Sequence, residues 1–360
     1  MRFESSPRSI GGNMALVLRS KTEPDKEVSH AAAKDIENSH NAPTVLDQDT
    51  LIVSTGSTLL DLAISGGRVR GGGIPGGIMV ELFGPSSAGK TAVLTELAAS
   101  VQHQGGSALF GDPEARIDKE YSRIYGLDMS KEDYFRPDTV TEMFEHLETW
   151  NPPNEAVINI FAADSIAALS TNMEMGDGDK RGQRKAKELS EGCRKTARII
   201  AKNNKLVVFT NQEREGEFGK TTPGGMAVPY HCSLRIRIVR KGRIEKKKKI
   251  SSGKEVTKTV GIHSECLIKK STVDDEYRTA PLYIIFGVGI DDVRANLQYV
   301  KDMEKLTKYW CVDIDYVSMD KSIEYIEAND LESELRERVI DIWEEVEGKF
   351  KMDRKTKKRF

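Results

Sequence analysis

The stretch Gly84-Pro85-Ser86-Ser87-Ala88-Gly89-Lys90-Thr91 constrains the fold of this chain more than any other. It begins where an apolar run, Ile78 to Phe83, ends, and it opens a segment of helical character from Lys90 to Gln104. Glycine at the first and sixth positions followed by Lys-Thr, set between a strand and a helix, reads as a phosphate-binding loop. The glycines let backbone N–H groups curl around a phosphate, and the helix N-terminus behind them favours negative charge. Lys90 is placed to reach β- and γ-phosphates, and the Thr91 hydroxyl to ligate Mg²⁺. The loop predicts a nucleoside triphosphate site without saying what the triphosphate is for.

The chain has 360 residues, 38% of them apolar and 31% charged. That is enough for a substantial core in one large or two to three small domains. The formal net charge is −2, so a nucleic-acid site must come from local clusters of Lys and Arg. Cys193, Cys232, Cys266 and Cys311 are scattered, which predicts buried thiols in a reducing compartment rather than a disulfide framework or metal cluster. No apolar run reaches membrane-spanning length and the N-terminal stretch lacks a signal-peptide core, so the expected location is the cytoplasm.

Residues 1–46 are polar and mixed in charge and read as an arm, either disordered or ordered against a neighbouring subunit. From Leu51 the pattern becomes that of an α/β core. Apolar strands at Ile78–Phe83, Ala108–Phe110, Val157–Ala163, Leu206–Thr210, Leu234–Val239 and Cys266–Ile268 are separated by helical segments near 92–104, 118–125, 139–149 and 185–203. This alternation predicts a largely parallel sheet flanked by helices. Leu234, Ile236 and Ile238 alternate with Arg235 and Arg237, the pattern of a half-exposed strand in a later, antiparallel part of the sheet. After Leu306, apolar residues recur at helical spacing, with Asp320 and Asp330 as candidate caps, and predict a small α-helical domain ending in a basic tail.

A phosphate loop needs an acidic partner for the metal. Asp164 closes an apolar strand at the mouth of the sheet, where it either supports Mg²⁺ or caps the next helix. Glu114 follows another strand end and either activates a water or faces solvent. Gln212 ends a third strand, where an amide can sense a γ-phosphate. Two glycine-rich segments follow successive strands: Met173 to Lys187, rich in Lys and Arg, and Glu213 to Pro229. They are either surface loops or a ligand-ordered polyanion site suited to phosphodiester backbones. Lys246 to Lys249 reads as the tip of a hairpin, touching DNA or solvating a turn.

Together these pieces resemble a known family. The order Ser54-Thr-Gly-Ser57, Gly84 to Thr91, Asp112-Pro-Glu-Ala-Arg-Ile-Asp118, Asp164-Ser165, Thr210-Asn-Gln212 and Thr221-Thr-Pro-Gly-Gly225 resembles the RecA family of strand-exchange recombinases, from about Leu51 to Ile290. Tyr309-Trp310 and the helical pattern from Asp320 to Val346 resemble the small domain of bacterial members. The resemblance implies an α/β, RecA-like phosphate-loop ATPase core at 47–291, an N-terminal arm at 1–46 and a small α-rich domain with its basic tail at 292–360. The cofactors it implies are ATP and Mg²⁺. It implies that Glu114 is the water-activating base, that Asp118 and Tyr121 hold the adenine, that Thr91 and Asp164 support the metal, and that Gln212 couples the γ-phosphate to the second DNA loop. Arg181, Arg184, Lys187 and Arg194 would meet DNA phosphates, and Gly224 and Gly225 would approach the backbone through N–H groups. Tyr230 would transmit nucleotide state across a subunit interface. Lys269 matches one of two lysines that the family supplies to a neighbour's ATP; the second falls near Ser271, with Lys270 one position away.

The implied activity is ATP-dependent filament formation on single-stranded DNA and pairing with homologous duplex. Implied partners are single- and double-stranded DNA, further copies of the chain, and single-strand-binding or loader proteins, with no membrane. The short second loop, the basic tail and the divergent arm suggest a remote or phage-type member. A hexameric helicase-like motor and a non-catalytic, nucleotide-gated DNA-binding regulator are the alternatives on the same core.

Overall fold

The computed structural model describes residues 50–352 apart from 116, 118, 131–132, 172–180 and 217–218. The N-terminal arm, Asp118, most of the first basic loop and the last basic residues therefore lie outside the described residues, as do the side chains of Tyr121 and Arg181.

Fifteen strands are described: β1 (Ile52–Val53), β2 (Ile74–Pro75), β3 (Met79–Gly84), β4 (Ala108–Gly111), β5 (Tyr134–Phe135), β6 (Asn159–Ala163), β7 (Lys205–Gln212), β8 (Arg214–Gly216), β9 (Gly219–Thr221), β10 (Leu234–Lys249), β11 (Glu255–Ser271), β12 (Thr279–Ile285), β13 (Gly289–Ile290), β14 (Tyr309–Cys311) and β15 (Ile314–Tyr316). The helices are α1 (Thr58–Ser65), α2 (Lys90–His103), α3 (Lys119–Ile124), α4 (Val140–Thr149), α5 (Arg181–Lys202), α6 (Ala227–His231), α7 (Asp292–Met303), α8 (Met319–Ala328) and α9 (Glu332–Phe350). Nine strands form one sheet in the order β13-β12-β11-β10-β3-β7-β6-β4-β5. From β10 to β5 every neighbouring pair is parallel, and β10 to β13 are antiparallel. β10 is thus the hinge of the mixed sheet: parallel to β3 on one side, antiparallel to β11 on the other. Leu234 to Ile238, expected in a later, antiparallel part of the sheet, do open that part, with a parallel neighbour on the β3 edge.

The central strands read as unbroken apolar runs because both faces are covered. Their residues alternate between two cores. Val80, Leu82, Ile160, Ala162, Leu206 and Val208 join the core under α1, α2 and α9. Met79, Phe161, Ala163, Val207 and Phe209 join the other, with Phe144 of α4 and Leu189, Cys193 and Ile200 of α5. α5 meets that face with residues at helical spacing, while Lys187, Arg194, Lys195 and Arg198 stay exposed. All four cysteines are buried and free.

The last helix closes the first core. Leu335, Val339, Ile340 and Trp343 of α9 pack in the same cluster as Leu62 of α1. Arg278 lies 5.2 Å above the Trp343 ring and pairs with Asp274 and Glu347 at 2.8 Å each. Asp274 also accepts the Gly67 N–H at 2.8 Å. The caps differ from expectation: α8 starts after Ser318, so Asp320 sits in its first turn and pairs with Lys246 and Arg294, and Asp330 adopts positive φ before α9.

A buried carboxylate cluster joins α1, α2 and α7. Asp61 accepts from the Ser54 hydroxyl (2.5 Å) and from the Thr55 N–H and hydroxyl (2.8 and 2.7 Å). Asp292 accepts from the Thr58 N–H and hydroxyl at 2.7 Å each and from Asn296 at 2.8 Å. Glu96 reaches them from α2. Burial pushes Asp61 up to about 7; burial, then the charges of Asp292 and Asp61, push Glu96 up to about 7. The folded state therefore binds protons the unfolded chain releases. This contribution is complete below the ordinary carboxyl range and is lost as pH rises through about 7, at up to ~1.4 kcal/mol per pH unit per group. Glu96→Gln should raise the melting temperature at about pH 8 and have little effect near pH 5. A gain independent of pH in thermal melts would contradict the cluster's role.

Candidate nucleotide site and nucleic-acid interface

The phosphate loop leaves β3 through backbone that only glycine adopts without strain. Gly84 has φ 149°, and a Cβ there would lie 2.0 Å from the Ile238 carbonyl oxygen. Gly89 has φ 104°, and a Cβ there would meet the Ile284 side chain at 2.4 Å. α2 starts at Lys90, so its free N–H groups face the loop. The Lys90 ammonium, almost fully buried, donates to the Gly84 and Pro85 carbonyls at 3.1 and 2.7 Å. Burial lowers its pKa, against the opposing pull of Asp164, Glu114 and Glu213. Three groups singled out in the sequence thus act on one another, with Glu213 added.

Parallel pairing brings the strand ends together. Gly84 pairs with Gln212 and Phe83 with Asn211, and the Glu213 N–H donates to the Gly84 carbonyl at 3.0 Å. The Asp164 N–H donates to the Gly111 carbonyl at 3.0 Å, which sets the end of β6 beside the end of β4. The Thr91 hydroxyl donates to Asp164 Oδ2 at 2.5 Å, and the Thr210 hydroxyl donates to Oδ1. This oxygen-only set, at the start of α2, fits Mg²⁺. Asp112, fully buried at the end of β4, accepts from the Ile117 N–H (2.8 Å) and the Tyr134 hydroxyl (2.9 Å) and anchors the turn carrying Glu114. Glu114 itself is half-buried.

Beside the loop opens a cavity of about 730 Å³, lined by Gly89, Thr91, Tyr125, Arg240, Ile284 and Phe286 among others. Asp118 and the side chain of Tyr121, to which the resemblance assigns the adenine, lie outside the described residues. The Phe286-Gly287 step that follows β12 supplies part of the cavity wall.

A second set of contacts, also unforeseen, links the phosphate-loop strand to the second glycine-rich loop. Glu81 has no exposed surface. Its carboxylate accepts from Asn211 Nδ2 (2.9 Å) and Arg235 Nε (2.5 Å), and the Asn211 amide also donates to the Pro223 carbonyl at 3.1 Å. Arg235 stacks over Phe83 at 4.4 Å. Arg237 grips Glu213 through two bonds of 2.9 and 2.8 Å. The visible signal was an acid inside an otherwise apolar strand. The loop itself carries the β8–β9 hairpin and α6.

On the loop side, Lys187 and Arg194 stand exposed on α5, Arg184 is half-buried, and Gly224 and Gly225 have φ of 93° and 57°. Lys185 turns inward and donates to the Ala167 and Leu169 carbonyls at 2.8 and 2.6 Å. Tyr230 is 60% exposed. Lys270 donates to the Pro229 and Tyr230 carbonyls of its own chain at 2.9 and 3.0 Å, and Lys269 lies 5.6 Å from the Tyr277 ring centre. Asn211→Ala should cost about 1–3 kcal/mol in urea unfolding, because Glu81 loses a donor while remaining buried. It should also speed proteolytic cleavage within 213–226; unchanged cleavage would mean that the amide does not anchor that loop.

Comparison with known proteins agrees with this geometry. The family model described as the RecA N-terminal domain matches residues 30–291. Protein RecA of Crocosphaera subtropica (strain ATCC 51142 / BH68) is 32% identical over 305 residues, covering 80% of this chain and 82% of the relative. Protein RecA of Thermus thermophilus is 33% identical over 253 residues, 68% of this chain and 70% of the relative. Protein RecA of Delftia acidovorans (strain DSM 14801 / SPH-1) is 33% identical over 250 residues; the match covers 68% of this chain and 64% of that protein. The matched span holds the phosphate loop, the strand ends beside it and the Glu81 contacts alike, and on that basis the chain belongs to the RecA family.

Proposed function

We propose that the chain is an ATP-dependent recombinase that assembles on single-stranded DNA and pairs it with homologous duplex. The observation that carries this reading is the continuity between two sites. Gln212 sits against the first loop glycine, and the next contacts along β3 and β7, Asn211 with Glu81 and Pro223, end in the glycine-rich loop. A group that binds at Gly84 therefore touches the strand end from which the second loop departs.

In this reading the Lys90 ammonium exchanges its loop carbonyls for β- and γ-phosphate oxygens. Thr91 and Asp164 would hold Mg²⁺, which when bound neutralises charge on the phosphates. Glu114 accepts a proton from the water that attacks the γ-phosphorus; the bond to the bridging oxygen breaks, leaving ADP and phosphate. Gln212 bonds the γ-phosphate while it is present and holds the second loop in its DNA-binding form; hydrolysis removes that bond. Catalysis thus serves to switch affinity between two loop states. Arg181, Arg184, Lys187 and Arg194, with the N–H groups of Gly224 and Gly225, hold DNA phosphates. Tyr230, Lys269 and Lys270 face the neighbouring copy.

Glu114→Gln should lower ATP turnover by at least ~10²-fold while keeping ATP-dependent binding to single-stranded DNA. Loss of both would remove Glu114 from the role of base. The decisive measurement for the whole reading is joint-molecule formation with homologous against heterologous duplex. Closed six-membered rings in electron micrographs, together with duplex unwinding, would instead make the chain a motor.

A further inference from the structure

The outer part of the β10–β11 ribbon adds little to the fold beyond the Lys246–Asp320 ion pair. Leu234 to Arg237 pair with Val80 to Phe83, so β10 runs on past the end of β3 where the phosphate loop begins. β12 flanks β11 from Gly261 to Leu267. Beyond that, Glu245 to Lys249 pair with Glu255 to Thr259, a two-stranded ribbon roughly 17 Å long at ~3.4 Å per residue. Every residue from Lys247 to Lys258 is exposed.

Its chemistry is lopsided. Lys246, Lys247, Lys248, Lys249, Lys254 and Lys258 stand against Glu245 and Glu255. Lys246 meets Asp320 at 3.1 Å and Lys247 meets Glu255 at 4.0 Å. Among the described residues, Lys248, Lys249, Lys254 and Lys258 meet no carboxylate. Lys246 also stands directly opposite Lys258. Like charges across a ladder weaken it, and an isolated two-stranded ribbon is marginal to begin with. Glu255, opposite Lys249, offsets only part of this charge; a polyanion laid against the ribbon removes the remaining repulsion.

We propose that this ribbon is a docking element for the phosphate backbone of duplex DNA. Its purpose rests on the pairing activity proposed above, but its chemistry does not. Between Lys241 and Ile262 there is no Phe, Tyr, Trp or His, so the ribbon offers no surface on which unpaired bases could stack. A two-stranded ribbon is one of the elements that the major groove admits. Lysines act on phosphates as point charges and read no sequence, as suits capture of an arbitrary duplex. Because β10 runs parallel to β3 and β7, the ribbon projects from the same end of the sheet as the phosphate loop and the glycine-rich loop after Gln212.

The test uses the full chain and a variant carrying Lys247→Ser, Lys248→Ser, Lys249→Ser and Lys254→Ser. Binding is measured by anisotropy against a random duplex of about 40 base pairs, an unstructured single strand of the same length, and polyglutamate, across a salt series. The variant should bind duplex at least ~10-fold more weakly near 0.1 M salt, with a log–log salt slope shallower by about 3 to 4. Single-strand binding should stay within about twofold, and arginine at the same four positions should restore the duplex affinity and slope. Unchanged duplex binding, an equal loss on single strand, or a loss confined to polyglutamate would each overturn the proposal. If the parent chain fails to form joint molecules while the variant still loses duplex affinity, the recombinase reading falls and the ribbon assignment stands.

Discussion

Glu81 lies in the middle of the strand that ends in the phosphate loop, with no exposed surface. A buried carboxylate is tolerated only where donors and a countercharge replace water. Here Asn211 comes from β7 on one side and Arg235 from β10 on the other. The three strands at the centre of the sheet are therefore held in one register by one side chain. A slip of β7 or β10 by a single residue would turn the partner to the opposite face and leave the charge unpaired. That register sets Gly84 beside Gln212, and it sends the second amide proton of Asn211 to Pro223. The nucleotide end and the loop end are tied to the same carboxylate.

Much of this was legible in the chain because the signals are local. The phosphate loop announces itself by glycine spacing, and the central strands are continuous apolar runs because helices cover both faces. Parallel pairing then puts any residue that ends such a run at one edge, which is why Lys90, Thr91, Asp164 and Gln212 could be singled out together. Other features depend on partners far along the chain. Glu81 looks like an interruption until Asn211 and Arg235 are in place. Lys185 looks like one more cation of a basic loop, yet it fastens the Ala167 and Leu169 carbonyls. The extent of β10 and β11 was hidden because both faces of the ribbon meet water, so no apolar alternation marks it. The β8–β9 hairpin was hidden because its short, polar strands carry no such alternation either.

The two ends of the site differ in what holds them. Around Asp164 directional bonds hold the carboxyl group, from Thr91 at the start of α2 and Thr210 of β7, and its N–H is bonded to the Gly111 carbonyl. Across the cavity beside the loop the wall is largely apolar, with Ile262, Ile284 and Phe286, the last 60% exposed. Such a surface gives contact area and little directional preference.

The packing of α9 against α1 bears on how the chain comes to be folded at all. Trp343 and Leu62 belong to one core cluster, and Arg278, between Trp343 and Asp274, completes the seam. These partners are separated by most of the polypeptide. During synthesis from the N-terminus, the sheet and α2 leave the ribosome long before α9 exists to cover them. Contacts this distant in sequence form late and slowly. One face of the newly made core must therefore wait, apolar and uncovered, for the last helix. The emerging chain meets the cell with a transient sticky surface whose lifetime is set by translation rather than by stability.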